Sequence, residues 1–265
     1  MAKEANHPVR TTEKSLALIE QLRDADGARI RDLVGVEGLS KGAVHNHLST
    51  LREHGYVTKE GDEYRLSLQF LTLGGYIRGR TPLYRYGRSK ADQLAADTGM
   101  LTNLVTEENG RGVYLYQARG DYAVNLDTHV GYRIRLHYTG VGKAILAEMD
   151  DDEVSDVVSE WGLPAYTEHT ITDEDGLFEE LEEIRRTGLA FNHEEMLSGL
   201  TAVGIAVKRP DSSVCGALSV GGPTYRIGEE KLRTEFGDVI RGTKRRFEAE
   251  IRSYYEESDD GTALP

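Results

Sequence analysis

The chain is short of cysteine, tryptophan and proline, with one, one and six among 265 residues. A lone thiol closes no internal disulfide, so the fold must rest on a hydrophobic core, and nothing argues for secretion. Cys215 lies in an apolar run and is expected to be a small buried hydrophobe. No run approaches the ~20 apolar residues of a membrane span. The first eight residues, Met1 to Pro8, lack the apolar centre of a signal peptide. A cytoplasmic protein with no membrane partner is expected. Metal-ligand pairs are also scarce. His193 beside Glu194 and Glu195 has no second histidine and no cysteine at a ligand spacing. No metal and no cofactor is expected.

Basic residues are outnumbered, 32 against 45 acids, for a net charge of −13. That balance alone speaks against a nucleic-acid partner, but its distribution does not. Residues 1–78 carry eleven of each sign, and the whole excess lies beyond them. Between Tyr64 and Ala91 there is no acid, only Arg65, Arg78, Arg80, Arg85, Arg88 and Lys90. Such a strip suits a phosphate backbone. The 23 arginines against nine lysines, together with the acid excess, suggest a salt-adapted cytoplasm, as in a halophilic archaeon. Phosphate contacts weaken steeply with salt, so base contacts and shape would carry more of any specific binding there.

The segment Leu39 to Leu51 divides into two faces. Val44, Leu48 and Leu51 fall at i, i+4 and i+7, one apolar stripe of a helix, with Ser40 placed to cap it. Lys41, Gly42, His45, Asn46 and Ser49 share the other face, short, polar and free of acids. Upstream, Glu13 to Ala25 is expected to be a helix capped by Thr12, with Leu16, Ile19 and Leu22 inward. Ala28 to Val34 follows as a second helix, with Ile30, Leu33 and Val34 inward, and Gly38 breaks the chain before the third. Downstream, Gly55 ends the third helix, and two β-prone runs around Glu60-Gly61-Asp62-Glu63 predict a hairpin. Three helices and a hairpin make a winged helix-turn-helix, with Lys59 or Arg65 of the wing able to touch phosphate.

The predicted organisation is α+β: a winged helix-turn-helix over 9–68, a linker helix over 69–81, and an α/β sensor domain with an antiparallel sheet over 82–255. A disordered tail is expected over 256–265. Within the second domain, Pro82 to Thr98 is a helix with proline first and Gly99 after it. Asn109-Gly110 marks a hairpin turn between Met100–Thr106 and Gly112–Gln117. Further strands are expected at Ala123–Asp127, Arg133–Leu136, Thr201–Val207 and Val214–Val220. Helices are expected at Gly142–Glu148, Asp151–Trp161, Asp173–Arg186 (capped by Thr172) and Gly228–Tyr255.

Thr139-Gly140-Val141-Gly142-Lys143-Ala144 is glycine-rich and enters a helix, whose first amides favour anions. It has neither Walker A nor dinucleotide spacing, so a small carboxylate fits better than a nucleotide. Ser219 lacks a nucleophile elbow and no acid/base pair emerges, so no catalytic residue is assigned.

These segments resemble the IclR family of transcription regulators from about Thr11 to about Tyr255. The resemblance rests on Gly38-Leu39-Ser40-Lys41 through Gly55-Tyr56-Val57, and on Tyr138 to Ala147. It rests also on Thr170-Ile171-Thr172, Ile184 to Ala190, Glu194-Glu195 with Gly199-Leu200, and Ala217 to Pro223. It implies a homodimer or homotetramer that binds double-stranded DNA and carries a GAF-like domain for a small-molecule effector, often a carboxylate. By resemblance, Ser40, Lys41, Gly42, Ala43, His45, Asn46 and Ser49 would face DNA, with Gly42, Ala43 and Asn46 replacing the usual Ser, Thr and Arg. The effector would meet Gly140, Val141 and Gly142 of the glycine loop. Asn192, Ala202 and Ser219 would form its polar side and Leu126 and Leu200 its apolar side, with Gly221 also in the site. Asn192, Ala202 and Gly221 stand where an acid, a cysteine and a serine are common, which implies a roomier, less polar pocket base.

The expected function is a sequence-specific regulator, repressor or activator, reading a palindromic operator under effector control, for a catabolic operon. Two other readings stay open from residues alone: an enzyme acting on small carboxylates, and an architectural DNA-binding protein with no ligand.

Overall fold

Local signals decide the first elements of the computed structural model, which describes residues 6–259. The chain divides into two units between Ile77 and Arg78.

In the first unit, helix α1 spans Arg10–Asp24, strand β1 Ala28–Arg29 and helix α2 Ile30–Leu33. A 3-10 turn at Val36–Gly38 precedes helix α3, Lys41–Glu53. Strands β2, Val57–Glu60, and β3, Glu63–Leu66, form the wing. The sheet order is β1-β3-β2, so the wing hairpin is extended by Ala28 and Arg29 pairing with Tyr64 and Glu63. Leu18, Leu22, Leu33, Leu39, Val44, Leu48, Val57 and Tyr64 make the core. Three expectations are corrected. Helix α1 begins at Arg10, with Val9 at its N-cap position and Thr12 already helical. Its buried residues are Leu18 and Leu22, while Leu16 faces solvent. The second helix keeps only four residues, because β1 takes Ala28 and Arg29, and Val34 is exposed.

Helix α4 follows at Gln69–Arg80. It buries no residue, and Leu71, Leu73, Tyr76 and Ile77 are exposed along it.

The second unit is a six-stranded antiparallel sheet between two helical layers. Its helices are α5 (Pro82–Thr98), α6 (Gly140–Leu146), α7 (Asp151–Trp161), α8 (Glu174–Thr187), α9 (Glu229–Lys231) and α10 (Gly237–Asp259). Its strands are β4 (Leu101–Glu108), β5 (Arg111–Arg119), β6 (Arg133–Arg135), β7 (Ala190–His193), β8 (Leu200–Lys208) and β9 (Val214–Pro223), in the order β6-β5-β4-β9-β8-β7. One face packs Leu104, Val203, Ile205, Leu218 and Val220 against α5 and α10 through Leu83, Leu94, Phe247 and Ile251. The other packs Val105, Tyr114, Ala206 and Ala217 against α6 and α8 through Val141, Ile145, Leu181 and Ile184. Alternating residues thus feed opposite layers, as the period of two requires. Asn109 and Gly110 turn β4 into β5 with φ of 54° and 74°, the positive pair of a type I′ hairpin.

Four more expectations change. Residues 123–127 form no strand. Asp173, one residue after Thr172, caps α8, its carboxylate accepting from the Gly176 amide at 2.8 Å. The C-terminal helix is interrupted by a π-turn at Leu232–Phe236. It then runs to Asp259, past Tyr255; residues 260–265 of the expected tail lie outside the described residues.

The glycine loop docks on the sheet through paired glycines. A Cβ on Gly204 of β8 would overlap the carbonyl of Gly140. Gly204→Ala is therefore expected to lift α6 from the sheet and cost about 2 kcal/mol, as overpacking does. A urea midpoint unchanged from wild type would contradict this.

Candidate functional site

Helix α3 is set by Ser40, whose Oγ accepts from the Ala43 amide at 3.3 Å. With Val44 and Leu48 locked in the core, Lys41, Gly42, His45 and Asn46 are exposed together and Ser49 is half-buried. The Asn46 amide has no hydrogen-bond partner among the described residues, so both its donor and its acceptor remain available. Ala43 is half-buried and packs against the core, so it belongs only partly to that face. Behind the face, Ser15 Oγ lies 2.8 Å from His47 Nδ1, tying α1 to α3. A groove of about 360 Å3 there is lined by Thr11, Thr12, Ser15, Asn46, His47 and Thr50.

The wing residues differ in freedom. Lys59 is exposed, its ammonium 5.4 Å from the Tyr64 ring centroid. Arg65 is held inside the wing, by Glu63 at 2.5 Å and Asp26 at 3.3 Å. Its charge braces β3 against the turn after α1 and is largely balanced there.

In the second unit, eight of the nine expected effector residues line one cavity: Leu126, Gly140, Val141, Asn192, Leu200, Ala202, Ser219 and Gly221. Leu101, Asn103, Tyr114, Thr139 and Met196 complete it. Among the described residues no charged side chain lines it. The ninth residue, Gly142, points away. Its amide donates to Thr139 Oγ1 at 3.0 Å, and a Cβ on it would overlap the Leu136 carbonyl. Gly140 and Val141 are the first two helical residues, whose amides have no partner within the helix.

Register fixes the polar floor. Gln117, Asn103 and Ser219 are successive cross-strand partners on β5, β4 and β9. Gln117 Nε2 donates to Thr128 Oγ1 at 2.9 Å and to Asn103 Oδ1 at 3.0 Å; Asn103 Nδ2 donates to Ser219 Oγ at 3.3 Å. The loop that carries Leu126 is thereby tied to the floor beneath it. Only Ser219 of this row was visible in the sequence. Its partners lie more than a hundred residues away, and no local pattern points to them.

The base of the cavity is narrow. Ala202 and Gly221 are direct partners, and a Cβ on Gly221 would approach Ala202 Cβ to 2.5 Å. The strands close where the side chains shrink. The remaining cavity is about 30 Å3, room for about two waters.

Behind the loop lies a buried ion cluster that the sequence did not announce. The Lys143 side chain is 1% exposed, its ammonium 2.7 Å from Glu195 Oε1 and 2.8 Å from Glu180 Oε1. Nearby, burial pushes the His137 imidazole below its usual pKa, and Arg135 and Lys143 add to the effect against the opposing Pro164 carbonyl. His137 Nε2 sits 3.1 Å from that carbonyl. No group of three or more metal-binding side chains occurs among the described residues.

A winged helix-turn-helix followed by a sandwiched antiparallel sheet with this glycine loop defines an effector-domain transcription regulator. Residues 11–61 match the IclR helix-turn-helix domain, and residues 79–248 match the bacterial transcriptional regulator IclR C-terminal family. The chain belongs to the IclR family, whose members are transcription regulators that bind DNA and not enzymes. It is 32% identical over 230 residues to the probable HTH-type transcriptional regulator ArcR of Halobacterium salinarum, covering 85% of this chain and 88% of that one. It is 27% identical to the HTH-type transcriptional regulator KdgR of Escherichia coli, covering 92% and 93%. The Thermotoga maritima IclR crystal structure shares the fold, with a TM-score of 0.77 at 21% identity, over 91% of this chain and 98% of that one. No helix among the described residues is long and apolar enough to cross a membrane.

Asn192 is satisfied internally. Its Nδ2 donates to the Tyr138 carbonyl at 2.9 Å, and its Oδ1 accepts from the Glu195 amide at 3.2 Å. Asn192→Ala is expected to leave both backbone groups unpaired and cost about 2–4 kcal/mol. A chemical-denaturation shift under about 0.5 kcal/mol, the scale of a neutral surface change, would show that Asn192 is not a structural clasp.

Proposed function

We propose that this regulator reads a palindromic operator with helix α3 and that a small carboxylate or sugar acid, bound against the Gly140–Val141 amides, tunes its operator affinity. The observation that carries the reading is the uncharged cavity gathered around those amides. An anion there has backbone donors and hydroxyls to meet it, and no side-chain carboxylate to repel it. The cavity's small volume requires Leu126 and Met196, which come from loops, to give way as a ligand enters. That displacement is the physical event by which binding favours one conformation. The catabolic role is consistent with the names of relatives such as the acetate operon repressor of Salmonella typhimurium. Without a ligand, a closed cavity of this composition has no use, which disfavours a purely architectural role.

On the DNA side, Asn46 would pair with an adenine edge and Lys41 and Lys59 with phosphates. The exposed apolar side chains of α4, Leu71, Leu73, Tyr76 and Ile77, support a homodimer or homotetramer.

Selection of bound fragments from genomic DNA is expected to recover a few promoters sharing a palindrome; uniform recovery of all sequences, with and without added carboxylates, would overturn the reading. On the recovered site, Asn46→Ala should lose about 1–3 kcal/mol of discrimination at one base pair per half-site. An equal loss on every sequence would contradict it. Sedimentation should find Leu71→Glu with Ile77→Glu shifted to monomer relative to wild type. A wild-type monomer at micromolar concentration would remove the two-fold basis for the palindrome.

A further inference from the structure

The edge of the six-stranded sheet holds an electrostatic contradiction that the effector cavity does not explain. Arg111 on β5 and Arg135 on β6 are direct cross-strand partners. Their side chains therefore share a face, where like charges repel. Neither forms an ion pair among the described residues. The adjacent acids are already engaged: Glu108 pairs with Arg133, and Glu107 Oε1 accepts from the Gly110 amide at 2.7 Å.

Neutral groups hold both guanidinium groups in place. Arg111 Nη2 donates to the Arg133 carbonyl at 2.9 Å, and its guanidinium carbon lies 4.9 Å from the Trp161 ring centroid. Arg135 Nη1 donates to the Tyr166 hydroxyl at 3.1 Å. The Nε of each arginine is buried with no acceptor. A guanidinium has five N–H donors, and each of these two makes one hydrogen bond among the described residues. Two under-satisfied forks, held by neutral partners on one face of the sheet edge, suit a planar or tetrahedral oxyanion.

We infer that Arg111 and Arg135 form a second, oxyanion-binding site, separate from the effector cavity and suited to a phosphate dianion, free or carried on an ester. A dianion balances both cations and supplies the missing acceptors; a single carboxylate leaves one charge over. Trp161 and Tyr166 wall the site and fix the orientation of the two forks. Its position connects it to the effector cavity. Tyr166 packs against Tyr138 with ring centroids 4.0 Å apart and planes tilted by 35°, and the Tyr138 carbonyl accepts from Asn192, which lines that cavity.

Trp161 is the chain's only tryptophan, so its emission reports on Arg111 directly. Inorganic phosphate, titrated into the full-length protein against chloride at constant ionic strength, should change that emission saturably and raise the melting temperature. Arg135→Gln leaves the Arg111–Trp161 stack in place. It should weaken phosphate at least about tenfold, the loss of one charged fork. Without phosphate this variant should melt no lower than wild type, because a like-charge pair is gone. The loss of the phosphate-induced melting shift in Arg111→Gln provides a second variant. Tighter binding of glucose 6-phosphate than of phosphate would assign the site to an ester, and equal binding to the free oxyanion. No saturable response in wild type, or the same response in Arg135→Gln, would overturn the site.

Discussion

The second unit is organised around one buried cation. Lys143 is the fourth residue of α6, and its ammonium reaches carboxylates on two other segments, Glu180 of α8 and Glu195 after β7. An ammonium taken out of water costs several kcal/mol unless its partners are close and well placed. The three segments therefore cannot separate independently. The consequence is geometric. Holding α6 by its Lys143 side presses Gly140 onto Gly204 and Gly142 onto Leu136, and keeps the first residues of the helix in the cavity lining. Glu195 also fixes the loop after β7, with His193 N at 3.3 Å from its Oε1 and Thr170 Oγ1 at 2.8 Å from its carbonyl.

Elements with strong local chemistry were legible in the sequence. The Ser40 cap with Val44 and Leu48, the Pro82 start and Gly99 end of α5, and the Asn109-Gly110 turn each depend on neighbours within a few residues. Local patterns failed where distant partners decide. Thr12 offered a cap, but the chain was already helical at Arg10. Ala28 and Arg29 had helical company and became a strand because Tyr64 and Glu63 pair with them. Ala123 to Asp127 found no strand to pair with.

The candidate cavity was legible to a different degree. The glycine loop was legible from its composition and its place at a helix start, and Asn192 and Ser219 through family resemblance. Asn103, Tyr114 and Met196 were not, because they reach the cavity only through sheet register and a loop. Ala202 and Gly221 leave no open base here. Small residues opposite each other let strands and side chains close in, so missing atoms do not translate into empty space. Arg65 is the comparable case in the first unit. Its place in a basic strip suggested a phosphate contact, while Glu63 and Asp26 give it an internal one.

The Lys143 cluster makes the glycine loop and the β7–β8 connection a single structural unit, and this is open to direct measurement. Amide hydrogen exchange in wild type and in Glu195→Gln should show protection falling together over residues 140–147 and 192–200. The winged helix-turn-helix, residues 10–66, should be unchanged. Loss confined to 192–200, with the glycine loop as protected as before, would contradict the account and leave the cavity without its proposed support.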